Sequence, residues 1–278
     1  MSFRIVRPKG REIPVVVEVP HAGLRLDPVS LALCVAPARA IGRDADLFVD
    51  ELYADAPSLG ASLLVAEMSR YVCDLNRDPT DLDRETSEVG RLDGSAYGVI
   101  WRKSTDGYRA LGTEIPRSEV ERRLRDYYHP YHEALRQLLQ EKKERFGHVV
   151  LLCAHSMPSL GRGGEPRADI VPGTRGRTSA HPELIRAVEV LAAGAGKSLR
   201  HDDPYRGGFS TEHYGRPAQG EHALQLELAR RLYMDEIDLR QNDGFSDCRD
   251  FCKSLVQGLG QAANALAKSA GLEARGSS

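Results

Sequence analysis

The chain has 278 residues, with 38 basic and 40 acidic side chains and a formal net charge of −2. This length allows one domain with a substantial core, and the near-neutral charge offers no field that would attract nucleic acid or an anionic membrane. No apolar run approaches membrane-spanning length and the first residues lack a signal-peptide core, so a cytoplasmic protein is expected. The five scattered cysteines fit reduced thiols better than a disulfide framework.

The first clear element is the run from Val15 to Val19, whose β-branched residues favour a buried strand. Pro20 cannot continue the strand, and Gly23 lets the chain turn sharply. Ligands of open α/β sheets bind at the carboxyl ends of strands. His21 is therefore a candidate site residue.

The next segments are acidic or polar. Residues 44–56 mix apolar residues with closely spaced acids, which predicts a helix with an acidic face. A buried strand is expected over 61–66, and a short one over 71–74 that leads into polar residues. Residues 78–118 lack apolar periodicity and are rich in Asp, Gly, Arg and Thr, which is typical of long active-site loops in a compact domain.

The second half of the chain repeats the pattern of a buried strand with a polar end. Apolar spacing over 118–146 predicts a long helix that Pro130 kinks or divides and Gly147 ends. An apolar strand over 148–154 then delivers His155 at its end. The further predicted elements are a strand over 169–171, a helix over 182–193, a glycine-containing loop over 202–210, a strand over 222–228 and a C-terminal helix from Asp247.

Strands that alternate with helices predict an α/β fold with a mixed, mostly parallel central sheet and helices on both faces. We expect one domain over residues 1–278, with a loop-rich insertion at 78–118 and a loose tail at 273–278. A monomer or a small homo-oligomer is expected.

Two strand-end histidines and an acid match the ligands of a hydrolytic zinc site, where three protein ligands leave a position open for water. His21 and His155 are the candidate nitrogen ligands. Asp46 is the preferred carboxylate because it lies one turn from Asp50 and directly before the apolar residues of the acidic segment. Asp44 and Asp50 remain alternatives. The expected cofactor is one divalent ion, zinc.

Glu227 is an acid within an otherwise apolar strand, and burial of a carboxylate without a role is costly. It is the candidate general base, which would take a proton from water and pass it to the leaving nitrogen. An internal ion pair with an arginine is the structural alternative. His213 and His222 are at most candidates for supporting the ligands from behind.

Arginines cluster in two predicted loops. Arg70, Asn76 and Arg77 predict a carboxylate-binding site, because guanidinium groups bind carboxylates in bidentate fashion and an amide adds a neutral donor. Arg206 would stabilise an oxyanion or bind a second carboxylate. The other candidates in its loop are Tyr205, as a wall or donor, and Gly207, which lets backbone approach a ligand.

Several sequence blocks follow one another between His21 and about Met234. They are Pro-His-Ala-Gly at 20–23, Asp-Ala-Asp-Leu and Val-Asp-Glu-Leu-Tyr within 44–53, Ser-Arg-Tyr-Val-Cys-Asp-Leu-Asn-Arg at 69–77, Ala-His-Ser at 154–156, Tyr-Arg-Gly-Gly-Phe through His-Tyr-Gly at 205–215, Gln-Leu-Glu-Leu at 225–228 and Tyr-Met at 233–234. In this order they resemble the N-formylglutamate amidohydrolase (N-formylglutamate deformylase) family, which is similar to zinc carboxypeptidases and succinylglutamate desuccinylases. Phe48, where many members have a histidine, and Ser-Met-Pro-Ser at 156–159 depart from the family pattern.

The resemblance implies a three-layer α/β/α fold of the zinc-exopeptidase (phosphorylase/hydrolase-like) type. It implies zinc-dependent hydrolysis of a small molecule, N-formyl-L-glutamate, to formate and L-glutamate. Alternatives are another N-acyl amino acid or small peptide as the substrate, or a dicarboxylate-binding protein without a metal. A phosphate site would rest on Gly207-Gly208 alone. The implied roles are zinc on His21, Asp46 and His155, Glu227 as the base, and Asn76 with Arg77 on a substrate carboxylate.

Overall fold

The computed structural model describes residues 2–276, with side chains to residue 268, and has a six-stranded sheet at its centre. The strand order is β1-β3-β2-β4-β6-β5. The four inner strands are mutually parallel, and the edge strands β1 and β5 are antiparallel to their neighbours. The predicted mixed, mostly parallel sheet is therefore confirmed. The strands are β1 Phe3–Val6, β2 Val15–Val19, β3 Ser62–Ala66, β4 Val149–Met157, β5 Ile170–Gly173 and β6 Glu221–Ala229; a separate hairpin joins β7 Met234–Asp235 and β8 Arg240–Gln241.

Helices cover both faces of the sheet and complete three layers. The helices are α1 Pro28–Leu33, α2 Ala38–Asp44, α3 Val49–Leu52, α4 Arg117–Arg123, α5 His129–Phe146, α6 Pro182–Gly194, α7 Phe209–Tyr214 and α8 Phe245–Gly276. One core packs α6 and α8 against the sheet, and a second core packs α5 on the opposite face. Coverage of both faces explains why the central strands are continuous apolar runs. Among the described residues, no helix has both the length and the apolar character needed to span a bilayer.

The predicted long helix is divided at the expected place. A π-helical turn, Leu124–Tyr128, separates α4 from α5, and Pro130 lies in the first turn of α5. Proline has no N–H to donate to the helical ladder, which accounts for the break in regular α-helix beside it. The helix ends at Gly147, whose φ of 78° is left-handed.

Three expectations about secondary structure are wrong. Residues 44–56 do not form one helix, because Phe48 has a left-handed φ of 65° between α2 and α3. Residues 71–74 form turns, in which Asp74 N–H donates to the Val99 carbonyl. Strand β4 does not end at residue 154 but continues to Met157, because β6 pairs with it that far.

No sequence pattern predicted β1, a short and largely exposed edge strand. The insertion at 78–118 contains neither helix nor strand in the described chain until α4 begins. The expected loose tail at 273–278 is helical to Gly276, and its last two residues lie outside the described part of the chain.

Candidate active site

The candidate site lies at the carboxyl edge of the parallel strands, where ligands of α/β sheets bind. Paired residues of parallel strands point to the same face, so the register aligns side chains in rows. Glu18, Cys153 and Gln225 form one row, and His155 and Glu227 form the next row towards the edge. A cavity of about 580 Å³ opens over these rows, lined by all ten predicted site residues.

His21 follows β2 on a tightly turned loop. A Cβ on Gly23 would lie 2.4 Å from the Glu67 carbonyl carbon, so only glycine allows this approach. The imidazole Nε2–H donates to Asp74 Oδ1 at 2.8 Å. The other nitrogen, Nδ1, is buried without a hydrogen-bond partner. A histidine oriented by a carboxylate, with its second nitrogen free, has the arrangement of a metal ligand.

Asp46 lies between the two histidines. Its Oδ2 accepts a hydrogen bond from His155 Nδ1 at 2.9 Å and lies 3.6 Å from His21 Nδ1. One ligand atom from each residue falls within 4.8 Å of the others, and all three residues are buried. Two imidazole nitrogens and one carboxylate oxygen are suitable zinc ligands. The residues present therefore fit a divalent ion.

The two alternative carboxylates, Asp44 and Asp50, bind other groups of the protein. Asp44 accepts hydrogen bonds from the Tyr71 hydroxyl and from the backbone N–H and hydroxyl of Thr105. Asp50 forms an ion pair with Arg4 on the surface. Neither belongs to the group of converging ligand atoms.

Burial and neighbouring groups shift the pKa values of Asp46 and Glu227 in opposite directions. Burial acts to raise the pKa of Asp46, but the hydrogen bond from His155 and the adjacent ring of His21 hold that pKa well below its usual range. Burial raises the pKa of Glu227 to about 7 against the lowering effect of His155. Asp46 is thus held ionised, as a ligand requires, and Glu227 has a pKa suited to exchanging protons near neutrality.

Arg70, Asn76 and Arg77 differ in how many hydrogen-bond donors they leave for a ligand. Arg70 donates to Asp74 at 2.8 Å and lies 4.3 Å from the ring centre of Trp101. Asn76 Nδ2 donates to His155 Nε2 and Gln225 Oε1, and its Oδ1 accepts from a backbone N–H. Arg77 Nε donates a hydrogen bond to the Tyr97 carbonyl. Arg77 keeps the most donors for a ligand, whereas the amide of Asn76 is engaged inside the protein.

The 205–208 loop supplies the second group. The Arg206 side chain is exposed and has no hydrogen bond or ion pair to any described residue. The Tyr205 hydroxyl accepts a hydrogen bond from Arg167 at 3.4 Å. Gly207 has a φ of 99°, a backbone conformation that disfavours other residues. Arg206 is therefore free to bind an anion over the cavity.

Two weaker candidates lie away from the cavity lining. His222 is the second residue of β6 and pairs with Val150, towards the opposite edge of the sheet. His213 lies on α7 and stacks on Phe209. The expectation that these histidines support the ligands is wrong, because strand register and helix position separate them from His21 and His155.

Three residues of the site were not predicted. Asp74 is fully buried and orients His21. Gln225 contacts Glu227. Its position could have indicated this contact, because a residue two positions before Glu227 lies on the same face of the strand. Arg230 donates to the carbonyls of Arg43 and Ala45. No pattern in the sequence indicated that last role.

An α/β sheet whose carboxyl edge carries a buried His-Asp-His group beside a glutamate of raised pKa is the arrangement of a hydrolase. The profile of the N-formylglutamate amidohydrolase family matches residues 13–234. The chain belongs to this family and is an amidohydrolase.

Known proteins agree with this assignment. The chain is 38% identical to the N-formylglutamate deformylase of Pseudomonas aeruginosa, over 85% of this chain and 86% of that protein. It is 35% identical to the N-formylglutamate deformylase of Pseudomonas putida, over 81% and 84%. The crystal structure of an N-formylglutamate amidohydrolase from Ralstonia eutropha JMP134 is 30% identical, covers 94% of this chain and 97% of its own, and has a TM-score of 0.86.

Proposed function

We propose that this amidohydrolase cleaves N-formyl-L-glutamate to formate and L-glutamate with one zinc ion. The observation that carries the proposal is the convergence of one ligand atom each from His21, Asp46 and His155 beside Glu227. Family membership and the names of the two Pseudomonas relatives support the choice of substrate.

His21, Asp46 and His155 would hold the metal, which when bound polarises a carbonyl and lowers the pKa of water. Glu227 accepts a proton from the attacking water and passes it to the glutamate nitrogen as the C–N bond breaks. Arg206 stabilises the negative charge that develops on the formyl oxygen, or binds a substrate carboxylate. Both roles use its free guanidinium.

The two substrate carboxylates require cations in the cavity. Arg77 keeps two guanidinium nitrogens without described partners, and Arg70 contributes positive charge while it is held by Asp74. Tyr205 and Gly207 form the adjoining wall. Asn76 belongs to the proposal as a residue that orients His155, since both of its amide atoms are already hydrogen-bonded.

Formate release by chelator-treated protein, before and after zinc is restored, tests the proposal. We expect activity with N-formyl-L-glutamate only after zinc is added, and Glu227→Gln should abolish turnover while substrate still binds. Full activity in thoroughly metal-free protein would overturn the role of the metal. Turnover of N-acetyl or N-succinyl amino acids in place of the formyl compound would assign a different acyl group.

A further inference from the structure

Gln225 and Glu227 point to the same face of β6, because successive side chains of a strand alternate. Both are buried, with 4% and 5% of their surface exposed. Gln225 lies one row deeper than Glu227, beside Cys153 of β4. A buried amide beside a candidate base therefore lies at the floor of the cavity.

The surroundings of Gln225 permit a single orientation of its amide. The backbone N–H of Gly208 donates to Gln225 Oε1 at 2.8 Å, and Asn76 Nδ2 donates to the same oxygen at 3.2 Å. A backbone N–H can only donate, so the oxygen must face Gly208. The amide nitrogen is therefore turned towards Glu227, and donates to its Oε1 at 2.9 Å.

This contact is the only hydrogen bond to the Glu227 carboxyl from any side chain or backbone group in the described part of the chain. It fixes one oxygen of the carboxyl and leaves Oε2 without a protein partner. We propose that Gln225 is a positioning residue for the general base, orienting Glu227 and linking it to the 205–208 loop. This inference rests on the proposed function, which makes Glu227 the base.

Only an amide meets both demands of this position. A methionine has a similar size but would leave the Gly208 N–H and Glu227 Oε1 without partners. A glutamate would accept from Gly208 but, when ionised, could not donate to Glu227. The residue thus acts on chemistry through the Glu227 carboxyl, to which its amide nitrogen donates.

The test is Gln225→Met, with Leu226→Met on the opposite strand face as the control for repacking within β6. We expect kcat with zinc-loaded protein to fall about 10- to 100-fold, because misplacement of a catalytic group by about 1 Å can lose that much. KM should change less than about threefold and bound zinc should stay equal to wild type. Leu226→Met should keep wild-type kcat. An unchanged kcat in Gln225→Met would overturn the inference.

A double-mutant cycle with Glu227→Asp tests whether Gln225 acts through Glu227 or through another of its hydrogen-bond partners. The shorter carboxylate withdraws from Gln225, so Gln225→Met should lower kcat less than about twofold further in that background. A full multiplicative loss would show that Gln225 acts through Gly208 or Asn76 instead. If Gln225→Met fails to fold, Gln225→Glu, which keeps the acceptor for Gly208, replaces it in the same cycle. Wild-type turnover in Glu227→Gln would refute the proposed base itself, a result distinct from failure of the Gln225 variants.

Discussion

Replacement of Arg230 by methionine should weaken metal binding, although Arg230 is not itself a candidate ligand. The arginine is buried and donates to the Ala45 carbonyl at 2.7 Å and to the Arg43 carbonyl. It also donates to Asp46 Oδ1 at 3.4 Å. These bonds hold the loop that carries Asp46 in front of the two histidines.

The magnitude follows from the contacts that are lost. Loss of a residue that orients a metal ligand lowers affinity about 10- to 100-fold, which is about 1.4–2.8 kcal/mol. The buried Ala45 carbonyl left without this donor should lower the free energy of unfolding by about 1–3 kcal/mol. Removal of a positive charge acts in the opposite direction, because it relieves repulsion of a cation. Arg230→Lys separates the two effects, since it keeps the charge but loses the forked donor geometry.

Competition with a chromophoric chelator measures zinc affinity, and urea unfolding of the metal-free protein measures stability. Arg231→Met is the matched control, because the adjacent arginine is more exposed and pairs with Asp169. We expect weaker zinc binding for Arg230→Met and Arg230→Lys, and wild-type affinity for Arg231→Met. Zinc binding to Arg230→Met at wild-type strength or tighter would refute the reasoning.

The other predictions concern single features of the fold and site. Asp46→Asn should abolish stoichiometric zinc binding, measured by metal analysis after dialysis, because it removes the anionic ligand. Gly23→Ala should lower the free energy of unfolding by about 1–3 kcal/mol, because its Cβ would overlap the Glu67 backbone; denaturant titration would measure this. Burial lowers the pKa of His132 to about 4, so the folded state favours the neutral ring. Its contribution to stability is present above pH 6.5 and should be lost as pH falls towards 4, by about 3 kcal/mol in urea unfolding.

Each of these predictions has a matched comparison. Asp44→Asn should retain zinc, and equal loss in both aspartate variants would contradict the choice of ligand. Gly10→Ala, with no atom within 4 Å of the added Cβ, should change stability by less than about 0.5 kcal/mol. His132→Gln should flatten the fall in stability between pH 6.5 and 4. An equally steep fall in His132→Gln would exclude His132 as its source.

Helices and strands with strong local patterns were predictable. These elements bury a whole face, and a buried face leaves a regular apolar pattern in the local sequence. The pattern is a continuous apolar run in β2 and β4, and a three- and four-residue spacing in α5. The prediction of one helix over 44–56 was wrong because the acids that resembled one face of a helix form tertiary contacts instead. Asp44 accepts a hydrogen bond from Thr105, whereas Asp46 lies between the end of α2 and the left-handed Phe48 and accepts one from His155.

The site was predictable only as a set of candidates. His21, His155 and Glu227 stood out because polar residues in or directly after buried strands are unusual. Local spacing made Asp46 the preferred carboxylate but left Asp44 and Asp50 as alternatives, because its hydrogen-bond partner His155 is 109 residues away. Asn76 was correctly expected beside the cavity, but its engagement by His155 and Gln225 depends on the meeting of three separate segments.

The sequence by itself determined the α/β class, the principal central strands and the residues able to perform hydrolytic chemistry, since apolar patterning is a property of neighbouring positions. Only the tertiary structure decided the strand order, the convergence of Asp46 with His21 and His155, the hydrogen bond of Gln225 to Glu227 and the anchoring of the Asp46 loop by Arg230. Those interactions depend on directions and distances between side chains. The hydrogen bond of Arg230 to Ala45 spans 185 positions in the chain, and no local pattern encodes such a contact.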